Sequence, residues 1–451
     1  MKRYPVWAAL SLVLLGCGED VFEPPVEPQP TLDAQLRQNI AAWGVMPIGE
    51  LSPQPPAQVE LGRALFFDKI LSGNRDVACA TCHQPGEALA DGRSLAVGTG
   101  ASGSGLDRTP GPDRSFVPRS APSLLNVGLS SGYLLWDGRL ASFGPGQVIS
   151  EDLPLPPGLS SGLVAQAFLP VLDRGEMRGE PGDTDVHGQP NELALLDDEE
   201  PDRIWAAVVD RLRTVPEYVD LFGSAFPEVP TNQLRYEHVA RALAAFEREA
   251  FSRSRSPFDR YLDRDDAALT TVEKRGALLF FREAGCVSCH NGPMLGGQGF
   301  ANVGMPQVGP GEGPEPPLDL GRGALPQNDF YRFAFRIPPL RNVELTAPYT
   351  HAGAYPTLEA VVDHYNDVPA AMRNYDVSQL EPSLRTQHHG ESQTLAAVFE
   401  TLDGRFRGPL GLEEGEKAEL VAFLKSLTDP AARNLASVIP SRVPSGLPVG
   451  N

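Results

Sequence analysis

Apolar residues recur at helical spacing in several separate stretches of this chain. Between Pro201 and Leu212, residues Ile204, Val208 and Leu212 fall on one face, and the proline suits a first helical turn, where its missing amide donor costs nothing. From His238 to Phe251, residues Val239, Leu243, Phe246 and Ala250 align in the same way. Thr270 with Glu273 reads as a capping box opening a helix through Gly276-Ala277-Leu278-Leu279-Phe280-Phe281, which Gly285 would stop. A matching stretch, Leu61-Gly62-Arg63-Ala64-Leu65-Phe66-Phe67, lies earlier, and a last helix from Gly415 to Leu427 carries Leu420, Phe423, Leu424 and Leu427. Thr357 to Tyr365 is also helical, with Leu358, Val361, Val362 and Tyr365 on its apolar stripe. On periodicity alone Tyr365 is a core tyrosine, whereas His364, about 100° around the helix, points to the surface or to the margin of a site. No series of alternating strands is found, and Gly/Pro-rich stretches at 98–118, 151–162, 175–190 and 291–327 read as long loops. The pattern predicts a mostly α protein.

Length and composition narrow this picture. The chain has 451 residues, 41% apolar and 8% aromatic, which excludes disorder throughout and allows two or three domains. Glycine (45) and proline (44) are abundant enough to make the fold loop-rich. With 38 Lys and Arg against 58 Asp and Glu the net charge is -20, which excludes a nucleic-acid partner and favours basic protein partners.

The first residues run Lys2-Arg3, then an apolar stretch from Val6 to Leu15, then Gly16-Cys17. That is too short to span a bilayer and reads as a signal peptide over residues 1–16. Leu14-Leu15-Gly16-Cys17 resembles the bacterial lipoprotein box, so a periplasmic protein lipid-anchored at Cys17 is expected; an ordinary secretory signal is the alternative. Residues 17–31, rich in Pro and Glu, suit an extended tether. No other apolar stretch reaches transmembrane length.

The other four of the five cysteines form Cys79-Ala80-Thr81-Cys82-His83 and Cys286-Val287-Ser288-Cys289-His290. Cys-x-x-Cys-His attaches c-type haem: two thiols add to the porphyrin vinyl groups and the adjacent imidazole becomes an axial ligand. A zinc ribbon needs its cysteine pairs close together, and a thioredoxin-like pair needs a βαβ context; neither holds here. Two covalently attached haems therefore imply two cytochrome c-like domains with long connecting loops. The expected division is 32–255 for an N-terminal haem domain, 256–435 for a C-terminal haem domain and 436–451 for a tail.

What each haem does depends on its sixth ligand. No histidine lies between His83 and His187, so the first haem is expected to be open to peroxide. The alternative is a non-enzymatic di-haem electron-transfer cytochrome, with Met177, His187, Met294 or Met305 filling that position. His388-His389 reads as a solvated polar pair. On the residues alone, Glu176 in Asp173-Arg174-Gly175-Glu176 is a surface carboxylate.

The two haem motifs, Trp136-Asp137-Gly138-Arg139, Glu176-Met177, and Pro339-Leu340-Arg341-Asn342-Val343 through Thr346-Ala347-Pro348-Tyr349 together resemble the bacterial di-haem cytochrome c peroxidase/MauG family over about residues 35–430. The resemblance implies that His83 is the proximal ligand of the peroxidatic haem and His290 that of the electron-relay haem. It places Trp136 between the haems, Glu176 as the distal acid and Gln147 as the distal glutamine. It makes Tyr365 the sixth ligand of the relay haem, where the family's peroxidases carry methionine and the MauG type tyrosine. It also implies a calcium ion on the carbonyls of Thr346 and Pro348, with Ser120 where the family has asparagine. The implied activity is that of an oxidoreductase using hydrogen peroxide. It would either oxidise a partner protein or reduce peroxide with electrons from a small cytochrome c or cupredoxin, and the pattern also looks like di-haem oxidases paired with copper-binding proteins.

Overall fold

The computed structural model describes residues 30–49, 52–129 and 131–449. Cys17 and the expected signal peptide lie outside the described residues. The fold is mostly helical and has two main hydrophobic cores, each built on one helix–helix contact.

In the first core, helix Pro56–Phe67 crosses helix Tyr236–Ala250. Phe66, Phe67, Phe246 and Phe251 interlock there with ring centroids 5.1 to 6.2 Å apart. In the second, helix Thr271–Phe281 crosses helix Glu414–Ser426, and Phe280 and Phe281 close on Phe423 at 5.2 and 6.3 Å. Each crossing turns on a glycine. A Cβ at Gly62 would sit 2.0 Å from the Ala242 carbonyl oxygen, and one at Gly276 would sit 1.8 Å from that of Glu419. The backbones meet because these positions carry no side chain. The repeated Gly-x-x-x-Phe-Phe spacing therefore builds the same contact twice, just ahead of each cysteine pair.

The remaining helices follow the apolar pattern closely. Pro201–Arg213 opens on its proline, Thr270 and Glu273 form the capping box, and Thr357 caps helix Leu358–Asn366 by accepting from the Ala360 amide at 3.1 Å. Two features depart from expectation. Residues 132–150 form a three-stranded antiparallel sheet, Gly132–Leu134, Leu140–Ser142 and Val148–Ser150, each strand only three residues long. A two-stranded pair joins Phe300–Ala301 to Phe335–Arg336. Runs this short carry no alternation that a sequence pattern can register.

The ends of the chain also cross over. Helix Leu32–Ala42 packs Leu36 and Ile40 into the second core, and Arg37 reaches the Tyr261 carbonyl. At the other end Val438, Val443 and Leu447 pack into the first core. The cores are thus not the contiguous blocks 32–255 and 256–435, because each terminal segment joins the core of the other half. None of the described helices is long and apolar enough to cross a membrane.

Candidate active site

The two Cys-x-x-Cys-His motifs are built alike. Each is a single tight turn in which the histidine amide donates to the carbonyl of the first cysteine, at 2.9 Å for both His83 and His290. The His83 Nδ1 then donates to the Leu89 carbonyl at 3.0 Å, and the His290 Nδ1 to the Leu295 carbonyl at 3.1 Å. Leu89 (φ 62°) and Leu295 (φ 52°) both adopt the left-handed conformation, which folds the following loop back under the imidazole. With Nδ1 so occupied, Nε2 is the lone-pair nitrogen in each ring. Burial pushes both imidazoles down to about 4, so they are neutral. It pushes the thiols of Cys79 and Cys286 up to about 12, so these stay protonated, and all four cysteines are free. Paired thiols beside a neutral imidazole of fixed tautomer fit a thioether-bound haem at each motif.

A cavity of about 570 Å³ opens over the second motif, lined by Cys286, Cys289, His290, Trp136 and Tyr365 among mostly apolar neighbours. Tyr365 lies on helix Leu358–Asn366; burial, and then the thiols of Cys289 and Cys286, hold its hydroxyl well above the ordinary phenol range. The helix stripe thus turns Tyr365 toward the same cavity that His290 lines, not merely into the core. Of the two placements expected of it, His364 takes the margin of the site and not the surface: it is 1% exposed, because the loop at Val303 and the ring of Tyr355 cover that side of the helix too.

Residues 120–125 form a wall shared by the two motifs. Leu124 donates its amide to the Leu89 carbonyl at 3.2 Å and Ser123 its hydroxyl to Ala88 at 2.6 Å, while Ser120 to Leu125 also line the second cavity. Trp136 is fastened to this wall, its indole N–H donating to the Ser120 carbonyl at 2.8 Å. Thr346 and Pro348 line the same cavity; among the described residues no group of three or more His, Cys, Asp or Glu is disposed to hold a metal ion.

Glu176 sits in a turn, Arg174–Arg178, whose Asp173 carboxylate accepts the Glu176 amide at 2.8 Å. Loops flanking the first motif clamp the turn: Thr99 donates to the Glu176 carbonyl at 2.9 Å and Gly73 to that of Met177 at 2.7 Å. This packing leaves Glu176 half-buried. Burial, and then the charges of Asp173 and Glu312, push its carboxyl up to about 8, and that carboxyl acts in turn on the Cys82 thiol. Gln147, by contrast, is exposed in the turn between the second and third strands, so the structure does not bring it to either motif. The glutamine that does face the cavity is Gln166, at the end of the short helix Gly162–Gln166; its Oε1 is buried without a hydrogen-bond partner. A five-residue helix leaves too little periodicity to reveal it.

Comparison with known proteins agrees with this arrangement. A family model described as di-haem cytochrome c peroxidase matches residues 56–267. The chain is 31% identical to the methylamine utilization protein MauG of Methylorubrum extorquens, over 96% of this chain and 97% of that one. The chain belongs to the di-haem cytochrome c peroxidase/MauG family. It is also 32% identical to the cytochrome c551 peroxidase of Pseudomonas aeruginosa, over 83% of this chain and 87% of that protein. Among solved structures, a MauG-like protein associated with microbial copper homeostasis superposes with a TM-score of 0.58 at 27% identity, covering 87% of this chain and 95% of that one. The dihaem peroxidase BthA of Burkholderia thailandensis shares the fold, with a TM-score of 0.54 at 20% identity over 90% and 96% of the two chains.

As a member of this family the protein is a di-haem oxidoreductase with two c-type haems. The family's Trp-Asp-Gly-Arg motif is held by a buried charge cluster. Burial raises the Asp137 carboxyl, but Arg119 and Arg139, each 2.6 Å away, outweigh it and bring it down to about 2. The long Gly/Pro-rich loop over 291–327 turns Glu312 and Asp319 inward onto the same arginines, at 2.8 Å from Arg139 and 2.7 Å from Arg119. Of the residues considered as alternative ligands, His187 is exposed and Met305 lines the second cavity, while Met177 packs in the first core.

Proposed function

We propose that this family member is exported to the periplasm, carries a lipid at Cys17, and uses hydrogen peroxide to oxidise a partner protein. Reduction of peroxide with electrons from a small cytochrome c or cupredoxin is the second outcome of the same site. The observation that carries the reading is Glu176, a half-buried carboxyl close enough to the first motif to act on the Cys82 thiol and raised to about 8. A group that gains and loses its proton near working pH is suited to general acid–base catalysis.

His83 and His290 would hold the two irons axially, the four thiols would hold the porphyrins, and Tyr365 would approach the second iron. When bound, the haems supply the redox chemistry. The chain's own part begins with proton movement. In its ionised form Glu176 would take a proton from the inner oxygen of peroxide and, as the carboxylic acid, return it to the outer oxygen, while the haem would supply the redox chemistry that lets that oxygen depart as water. Gln166, with an unpaired buried oxygen, would orient a donor inside the cavity. Trp136, pinned to the shared wall, would couple the two sites through its ring. An oxygen ligand from Tyr365 favours the oxidised iron more than a thioether does, which suits storage of oxidising equivalents. Calcium on the Thr346 and Pro348 carbonyls belongs to the same reading, with a serine hydroxyl at Ser120 in place of an amide. The net charge of -20 supports a basic partner, and the likeness to a protein associated with copper homeostasis supports a copper-binding one.

Electron paramagnetic resonance of the diferric protein, before and after one equivalent of peroxide, tests this. The expected result is one high-spin and one low-spin signal, both lost on addition. Two low-spin signals indifferent to peroxide would overturn it.

A further inference from the structure

Beside the second site two residues that this chemistry leaves unused form a proton-linked pair. His364 is fixed at both nitrogens: Nε2 donates to the Val303 carbonyl at 2.9 Å, so Nδ1 carries the lone pair and accepts the Tyr355 hydroxyl at 2.7 Å. Tyr355 is 3% exposed, which keeps water from competing for that bond. On one side the His364 ring lies 5.6 Å from Tyr365, which faces the second cavity, and 5.1 Å from Tyr355. On the other, Tyr355 meets the edge of Tyr375 at 5.6 Å, and Tyr375 meets His388 at 5.0 Å, where both rings are half-buried at the surface. The Tyr375 hydroxyl donates to the Ala354 carbonyl, which cannot keep a proton. Tyr218 and Tyr261 donate to the carboxylates of Asp68 and Asp33, but they lie in the first and second cores, whereas Tyr355 packs in one cluster with Tyr365, which lines the cavity.

We propose that Tyr355 is a redox-active tyrosine that relays oxidising equivalents from the second site to the surface at Tyr375 and His388, with His364 holding its proton. The proposal rests on the peroxide reading above, since the one-electron oxidant is the peroxide-oxidised second site. One electron leaves the Tyr355 ring for that site. The phenolic O–H bond breaks as an N–H bond forms at His364 Nδ1, leaving a neutral phenoxyl radical and an imidazolium whose Nε2–H still donates to Val303. A one-electron donor bound near Tyr375 restores the electron, and the proton returns to the phenolic oxygen. The rings of His364 and Tyr375 thus acquire a common purpose. So does His388, otherwise a loop residue.

The test uses the holoprotein in two arms: one equivalent of hydrogen peroxide, and light with a ruthenium tris-bipyridine photo-oxidant that needs no peroxide. Each sample is frozen and read by electron paramagnetic resonance, with nuclear double resonance in H2O and D2O. The expected result is a tyrosine radical in both arms, coupled to one exchangeable deuteron at hydrogen-bond distance, and lost in Tyr355→Phe samples whose optical spectra retain both haems. The same radical surviving in Tyr355→Phe, or no tyrosine radical in the ruthenium arm, overturns the relay. Where the variant does not load haem, the wild-type deuteron coupling decides, and its absence removes His364 as the acceptor. A radical with ruthenium but none with peroxide supports the relay and overturns peroxide use instead.

Discussion

Glu176 shows how far a side chain's chemistry can depart from its local sequence. Glu176→Gln should keep both haems and lower the rate of peroxide cleavage by roughly 10²–10⁴-fold, the usual worth of a positioned acid–base group. Because burial raises its carboxyl to about 8, the ionised form that accepts the first proton grows as pH rises and levels off above that value. Wild-type cleavage rates should therefore climb through about pH 8, and the glutamine variant should be flat; stopped-flow traces across that range decide it. Tyr365→Phe should alter the spectrum of the second haem alone, since the ring lines only the cavity over Cys286 and Cys289; an unchanged spectrum sinks the proposed ligation. The resemblance assigned both residues their roles, whereas the residues alone made one a surface carboxylate and the other a core tyrosine; the structure finds the first half-buried and the second facing the cavity. Gln147 failed for the converse reason: a glutamine at an approximate sequence distance lies in an exposed turn, while Gln166 reaches the cavity from a helix too short to leave a pattern. For His364 the helical wheel left surface and site margin open, and the loop at Val303 and Tyr355, which cover that face, decide for the margin.

Helices with a proline or capping box at one end and several apolar turns were legible almost to their ends, since every local preference there points the same way. What no single stretch could show is that the two Phe-Phe helices need glycine for a reason outside themselves. Gly62→Ala and Gly276→Ala should each raise intrinsic helix propensity, yet each puts a methyl group about 2 Å from a facing carbonyl oxygen. Overpacking of that kind costs about 1–3 kcal/mol, more than the propensity gain of roughly 1 kcal/mol. Both variants should therefore melt at lower temperature by circular dichroism; a higher melting temperature would mean the helices separate freely and the close crossing contributes little. The three short strands at 132–150 were invisible for the opposite reason. Their identity comes from the neighbours that pair with them, Tyr133 opposite Ala141 and Ala141 opposite Ile149, and not from their own alternation.

Across the whole molecule, the crossed termini tie the two halves together. Helix Leu32–Ala42 is anchored in the second core by Leu36 and Ile40, and Asp33 meets Lys274 at 2.7 Å. The C-terminal segment closes the first core from outside: Arg63 of helix Pro56–Phe67 donates to the Val438 and Ile439 carbonyls at 2.9 and 3.0 Å. Ser445 donates its amide and hydroxyl to the fully buried Asp68, which also accepts Tyr218. Deleting residues 436–451 therefore exposes Val438, Val443 and Leu447 and leaves Asp68 short of two donors. At about 1.5–3 kcal/mol for each such apolar side chain the loss is several kcal/mol, enough to lower melting on the order of 10 °C for a unit of this size. The damage should be local. Limited proteolysis of the truncated holoprotein should cut first within residues 56–250 and spare the core around Phe280 and Phe423, whose contacts the deletion does not touch. Cleavage that begins evenly in both halves, or a melting curve that does not move, would show that the C-terminal segment merely lies on the first core without holding it.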